Sequence, residues 1–376
     1  MAKSKAAQLW AHFESIEDPR EQGRNFQYSL QSIIVMTVVA FASGMKSLEA
    51  CAHFARLQEK WFAKYLHLPH GVPSHDVFRQ VFKTIDVEAF QRGFVAWTQV
   101  LQLETEGDVV SIDGKTVRHS GTPTQKALHV VSAWSKANRI VLGQISTDEK
   151  SNEITAIPKL IESLALEGCI VTIDAMGCQT EIAQAVIDKG AHYVLSVKDN
   201  QKALHDELKS HFDAPVPGPE LRTAETADKG HGRIEVRRVW VSDDVESLVE
   251  AERWPCLSSV IRVDSERILK EKTTQETRYF ISSLPKPSAE EALNIVRSHW
   301  EVETKLHWCL DVTMNEDGAC LRDRQLAENG STIRRIAMNA LRLHPDFKGN
   351  LAQASRSAAF NSEFREKLML SLISNA

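Results

Sequence analysis

Three acidic residues in this chain stand where phosphoryl-transfer chemistry needs carboxylates. Asp113 directly follows the apolar run 109–112 and precedes Gly114, and Asp174 directly follows the apolar run 170–173. Both runs read as buried strands, and carboxylates at the carboxyl ends of such strands point into the crevice where α/β sheets place ligands. An Asp before Gly also commonly ends a strand, so turn chemistry is the other reading of each Asp taken alone. The third residue is Glu303. A helix is expected from 288 to 310, on which Ala292, Leu293, Val296, Trp300, Leu306 and Leu310 form one core-facing stripe with Glu303 in its middle. A carboxylate aimed at a core is costly unless it is paired, protonated or bound to a metal, so pairing with a buried Arg or His stands beside the metal reading. Two strand-end aspartates and one inward-facing glutamate, without an accompanying cysteine, are hard oxygen ligands suited to Mg²⁺ or Mn²⁺ rather than zinc. Two such ions per active site, a few Å apart, serve both the attacking and the leaving oxygen of a phosphoryl transfer.

Cationic and polar residues lie near these positions. Lys115 and Arg118 follow Asp113, and Lys198 and Asn200 follow the apolar run 193–197. Both groups can touch phosphates, or can be solvated loops. His231 precedes a strand on which Arg233, Glu235 and Arg237 share one face, which fits a DNA groove contact or a solvated Glu–Arg face. His299 and His307 flank Glu303 at four residues on either side; a zinc hydrolase built on these three would lack the HExxH order and leave both aspartates unexplained. Arg334, Arg335 and Arg342 fall on a C-terminal helix, as a phosphate track or as a polar face.

The elements that must position these groups change in texture along the chain. Residues 1–105 read as helices, with apolar residues at three- and four-residue spacing through 30–41 and 77–82 and Ser74 as an N-cap for the second run. Residues 106–200 read as strand, strand, strand, helix, strand, helix, strand, an α/β mixed sheet covered by helices. From 201 to 287 the alternation stops. A loop containing Pro215, Pro217, Gly218 and Pro219 precedes alternating strands near 233–241, 259–263 and 278–283, a β-rich insertion before the Glu-bearing helix. Residues 288–376 complete the catalytic unit with helices.

At this point the chain resembles a known family. SIDGKTVRHS around Asp113, VTIDAMGCQTEIAQAVIDKGAHYVLSVKDNQ around Asp174 and HWEVETKLHWCLDVTMNED around Glu303 are similar to the H-repeat-associated insertion-sequence transposases. FESIEDPR at 13–20, HGRIEVR at 231–237 and YFISSL at 279–284 look like the same family, so the resemblance covers nearly the whole chain. It implies a ribonuclease H-like fold in which Asp113, Asp174 and Glu303 are the DDE triad and bind Mg²⁺ or Mn²⁺. It implies cleavage at transposon ends followed by transfer of the freed 3′-hydroxyl into target DNA, and an N-terminal helical region that binds the terminal inverted repeats. In the wider superfamily an Arg precedes the Glu by four and a Lys follows it by seven; here His299 and Leu310 hold those places, and His299 and His307 are the substitutes as DNA contacts. A homodimer follows from the need to bring two ends together.

The bulk composition is compatible with this. The 376 residues are 43% hydrophobic and 25% charged, enough for one large core or two ordinary ones. The six scattered cysteines read as reduced thiols of a cytoplasmic, nucleoid-associated protein. No signal-peptide core is visible, and the apolar stretch 28–44 is too short and too polar to span a bilayer. A net charge of −5 lacks the overall basic footprint of a nucleic-acid binder, so any DNA-facing charge must be concentrated in patches. The rival readings are a metal nuclease on the same fold without strand transfer, and a decayed transposase that binds DNA as a regulator.

Overall fold

The protein is described here from a computed structural model, which covers residues 9–20, 27–102, 104–147, 152–214, 220–230, 232–270 and 272–373. His231 and the Pro215–Pro219 loop lie outside the described residues. Nine strands form one sheet: β1 (Val109–Thr116), β2 (His129–Ser135), β3 (Ile140–Thr147), β4 (Ile170–Ile173), β5 (His192–Val197), β6 (Arg222–Gly230), β7 (Arg233–Ser242), β8 (Ser259–Leu269) and β9 (Lys272–Ser282). Their order across the sheet is β3-β2-β1-β4-β5-β9-β8-β7-β6. β1 and β4 run parallel in a four-residue register from Val109↔Ile170 to Ile112↔Ile173, so the two strands reach Asp113 and Asp174 side by side.

Alternation along β1 decides which face carries the chemistry. Val110 and Ile112 join the core under helices Glu153–Ser163, Thr180–Asp188 and Lys202–Phe212. Val109 points the other way, into the core under helix Ala289–His299. Asp113 and Lys115 share this second face, toward the segment that carries Glu303.

The β-rich region beyond residue 200 continues the same sheet, because β9 pairs antiparallel with β5 from Val194↔Ser282 to Val197↔Tyr279. Sequence texture misses β6, whose residues are mostly exposed on both faces and show no apolar alternation. The N-terminal helices do not build a core of their own. Helices Leu30–Ala42, Leu48–Leu57, His75–Thr84 and Val87–Leu101 share one apolar cluster with the C-terminal helices Arg324–Arg342, Leu351–Phe360 and Ser362–Ile373. Buried Asn329 ties the two sets together by donating from Nδ2 to the carbonyls of Phe82 and Ile85. The apolar stretch expected to be too short for a membrane is the helix Leu30–Ala42, buried along almost its whole length, and among the described residues no helix is long and apolar enough to cross one. Helix His75–Thr84 begins directly after Ser74 as expected, without a capping bond from the Ser74 hydroxyl.

Candidate active site

Both strand-end aspartates have local roles as well as a shared location. Asp113 Oδ1 accepts from the Gly114 amide at 2.9 Å, and Asp174 Oδ1 caps the turn Ala175–Gly177 through the Met176 and Gly177 amides at 3.0 and 3.4 Å. The turn reading holds for Asp174 but not for Asp113, because β1 does not stop there: it runs on to Thr116 against β2, with Asp113 paired to Ser132 in mid-strand where only the pairing with β4 has ended. Burial drives the Asp113 carboxyl up to about 6, against the pull of His307 and the Gly114 amide and with the repulsion of Glu303 and Asp174 added.

Glu303 reaches the crevice by a different route from the one its helical spacing predicts. The expected continuous helix breaks after His299 into a wide π-helical turn, Val302–His307, before resuming at Trp308–Val312. Ala292, Leu293, Val296, Leu306 and Leu310 keep their core positions, but Trp300 is 50% exposed and the Glu303 side chain 56% exposed. The extra residue per turn re-phases the stripe, and Val302, 1% exposed, fills the core in their place. Glu303 is thus a crevice-facing carboxylate and not a core-facing one.

The same turn brings His307 into the site. Its Nδ1 lies 3.4 Å from Glu303 Oε2 and 3.7 Å from Asp113 Oδ2, and its Nε2 is buried without a hydrogen-bond partner. Asp113, Glu303 and His307 each offer one ligand atom within 4.8 Å of the others. Asp174 stands outside that group, near enough for its charge to act on both Asp113 and His299. His299 donates to or accepts from Thr172 Oγ1 at 3.1 Å, and burial holds its imidazole below the ordinary value despite Asp174 and Glu303. Two carboxylate donors and one imidazole in reach of each other fit a divalent cation.

The expected phosphate contacts divide into three kinds. Lys198 is exposed and lines, with Asp174 and His299, a small cavity of about 120 Å³; Asn200 is exposed and donates to the Ala175 carbonyl at 2.7 Å beside it. Arg118 is 78% exposed, with its amide bonded to Asp317. Lys115 is a correction. It is buried, its Nζ 2.7 Å from both Asp311 and Asp317 and 3.4 Å from Glu316, so it holds a loop to β1 and is not offered to DNA. Arg334 and Arg335 are corrections of the same kind, neither phosphate track nor polar face. Arg335 pairs with buried Glu316 at 2.7 Å, and Arg334 packs over the Phe41 ring. Burial pushes Glu316 up, but Arg335, Lys115 and Arg334 outweigh it and hold the carboxyl at about 2. This network was invisible to sequence reading, although the acidic pair Glu316–Asp317 sits at the end of the Glu303 motif. Arg233 and Arg237 line a groove of about 690 Å³ between the β7–β9 ribbon and helix Ala289–His299, and both are ion-paired with Glu235.

Adjacent parallel strands thus carry Asp113 and Asp174, and a following helical segment brings Glu303 and His307 to Asp113, an acidic arrangement of the kind a divalent cation fits. Residues 104–340 match the family model described as Transposase DDE domain, and residues 10–98 match the one described as DDE_Tnp_1-associated. YncI of Escherichia coli O157:H7, assigned by name to the transposases, is 37% identical over 96% of this chain and 94% of its own length. YhhI of E. coli K12, assigned by name to the H repeat-associated transposases, is 36% identical over 95% of this chain and 96% of its own. A piggyBac transposase synaptic complex with hairpin DNA aligns over 98% of this chain and 82% of its own at 11% identity and a TM-score of 0.43, and no functional reading rests on it. The chain belongs to the DDE family of DNA transposases.

Proposed function

We propose that this transposase cuts the phosphodiester at each end of its element and transfers the freed 3′-hydroxyl into target DNA at one site built on Asp113, Asp174 and Glu303. The first five strands, ordered β3-β2-β1-β4-β5 with β1, β4 and β5 parallel, are read as a ribonuclease H-like sheet. The observation that carries the reading is the β1–β4 pairing, which ends at Ile112↔Ile173 and so brings Asp113 and Asp174 next to each other in register, with Glu303 and His307 close to Asp113.

Asp113, Asp174 and Glu303 would hold the divalent ions, two Mg²⁺ or Mn²⁺ per site. When bound, the ions lower the cost of forming the attacking oxygen and of releasing the leaving one. The chain's own residues do the rest. Asp174 is held in place by its capping bonds to Met176 and Gly177. His307 completes the wall between Asp113 and Glu303 and keeps both carboxylates from drifting apart. Lys198 and Asn200 stand beside Asp174 to position phosphate. A homodimer is the assembly that presents two ends together.

The test is cleavage and joining on a labelled duplex carrying the gene's own flanking repeats, with Mg²⁺ against EDTA and wild type against Glu303→Gln. Metal-dependent cuts at the repeat ends that disappear in the variant support the assignment. Specific binding without any cleavage moves the reading to a DNA-binding regulator.

A further inference from the structure

On the far side of the Glu303 turn from the arginine groove lies a second cleft of about 610 Å³ that the reading above does not use. Its walls carry Lys136, Arg139, Lys305 and Arg342, against the single carboxylate Glu301. Trp308, 56% exposed, stands at its edge. The first turn of the ten-residue helix Leu351–Phe360 opens onto it through Gly349, Asn350 and Ala352, which adds the positive end of a helix dipole. Arg342 forms the floor. Its guanidinium lies 4.4 Å from the Trp134 ring centre, one nitrogen donates to the Lys305 carbonyl, and its buried Nη1 has no hydrogen-bond partner.

Charge accounting separates this cleft from the arginine groove. There, Arg233 pairs with Glu235 at 2.6 Å, Arg237 with Asp228 at 3.1 Å, Arg278 with Glu276 at 2.7 Å and Arg297 with Asp228 at 2.9 Å. Among the described residues only Arg267 of this groove lacks a carboxylate partner, so a phosphate entering it must displace carboxylates from the other four cations. Among the described residues, none of the four cations of the second cleft is paired with a carboxylate. In a chain of net charge −5, four unneutralised cations on one concave surface are a local basic footprint.

We propose that this cleft binds the phosphate backbone of a DNA strand passing the active site, with Trp308 as a stacking face for its bases. The inference rests on the transposase reading for the choice of DNA as the anion. Lys136 donates to Ser298 Oγ at 2.5 Å and Arg342 to the Lys305 carbonyl, neutral partners that leave both charges uncompensated. Cationic heads without carboxylate partners, a helix N-terminus and an exposed indole are the elements that hold nucleic acid without reading its sequence. The surface lies on the same π turn as Glu303, because Lys305 and Trp308 follow it by two and five residues, so the strand held here runs within a turn of the carboxylate.

The test uses the full chain and two labelled duplexes of equal length, one with the element's terminal repeat and one of unrelated sequence. Binding is followed by anisotropy across a KCl series in EDTA, and cleavage is scored separately in Mg²⁺. The double substitution Lys305→Gln with Arg139→Gln changes two surface residues, and circular dichroism checks that it folds. It is expected to weaken binding about tenfold or more near 0.15 M salt and to flatten the slope of log affinity against log salt by roughly two. Trp308→Ala is expected to weaken binding without changing that slope. Arg233→Gln with Arg267→Gln in the groove is the comparison and is expected to change the slope by less. A slope in the cleft variant equal to wild type on both duplexes overturns the proposal even if wild type cleaves. A flattened slope with no cleavage by wild type leaves the cleft standing and removes the transposition chemistry; no DNA binding by wild type removes both.

Discussion

The strand-borne aspartates and the helical glutamate reach one crevice with very different support. Asp113 lies within β1 and Asp174 directly follows β4, two hydrogen-bonded neighbours in the middle of a nine-stranded sheet, and each carboxylate accepts from adjacent amides. Glu303 rides on a six-residue π turn, more than half exposed, with Val302, Leu306 and His307 buried beneath it and Arg342 donating to the Lys305 carbonyl. Backbone pairing sets the first two positions and side-chain packing sets the third. The difference identifies Glu303 as the adjustable member of the site, and the following experiments break or sharpen that contrast.

The largest effect is expected from Asp113→Asn. Removing the central carboxylate should lower single-turnover cleavage of the repeat duplex by at least about a thousandfold, on the order of 4 kcal/mol of barrier. Residual activity near wild type would place the metal elsewhere. Next is Glu316→Gln, which leaves Lys115, Arg334 and Arg335 buried with less compensating charge beside β1. Urea unfolding should show a loss of about 3–5 kcal/mol, and a loss under about 1 would mean the cage does not stiffen the strand side.

The pH dependence of the metal-free protein reports on Asp113 directly. Its folded pKa of about 6 lies above the ordinary value of 3.8, so the native state binds its proton more tightly than the unfolded chain. That contribution is present below about pH 4, declines as pH rises through about 6 and is flat above, a fall of about 3 kcal/mol. In EDTA, wild type should show this fall and Asp113→Asn should not. Glu316 works in the opposite sense and in another window, since its pKa of about 2 contributes stability that is complete above about pH 4.5 and is lost as pH falls toward 2.

A smaller effect tests the reverse face of β1. A Cβ on Gly114 would meet Glu153 Oε1 at 2.3 Å and His129 Nε2 at 2.4 Å, two atoms already bonded to each other at 2.6 Å. Gly114→Ala should cost about 2 kcal/mol in urea unfolding and reduce cleavage with it, because the displaced strand carries Asp113. Val302→Ala, under the π turn, should cost only about 1–2 kcal/mol of stability. It should reduce cleavage more than it reduces binding, and equal reductions would count against an adjustable Glu303.

How much of this was legible differs element by element. β4 stands at 170–173 as read, because a buried parallel strand is a short continuous apolar run with no competing pattern. Asp113, Asp174 and Glu303 are proposed from residue type and position, and the structure brings Asp113 and Glu303 within reach of each other. Trp300 was misplaced because spacing was extrapolated at 3.6 residues per turn through a segment that has a wider turn. The entry of His307 into the site and the capture of Lys115 by Asp311, Glu316 and Asp317 join residues nearly two hundred positions apart, and no local pattern encodes them. The same holds for β6, an exposed edge strand with nothing apolar to alternate.

By itself, then, the sequence determined the strand and helix periods, the carboxylates and their family motifs, since these depend on residue type and short-range spacing. Which charges are available to a ligand was decided only by the tertiary structure. Lys115, Arg334 and Arg335 look like DNA-facing cations in one dimension, but are enclosed where β1, the 311–317 loop and helix Arg324–Arg342 meet. Arg342 stands out in the chain only beside Arg334 and Arg335, and Lys136, Arg139 and Lys305 not at all, yet the four line one basic cleft because three distant segments converge beside the π turn. A charge's effect depends on its neighbours in space, and those neighbours exist only once the chain has folded.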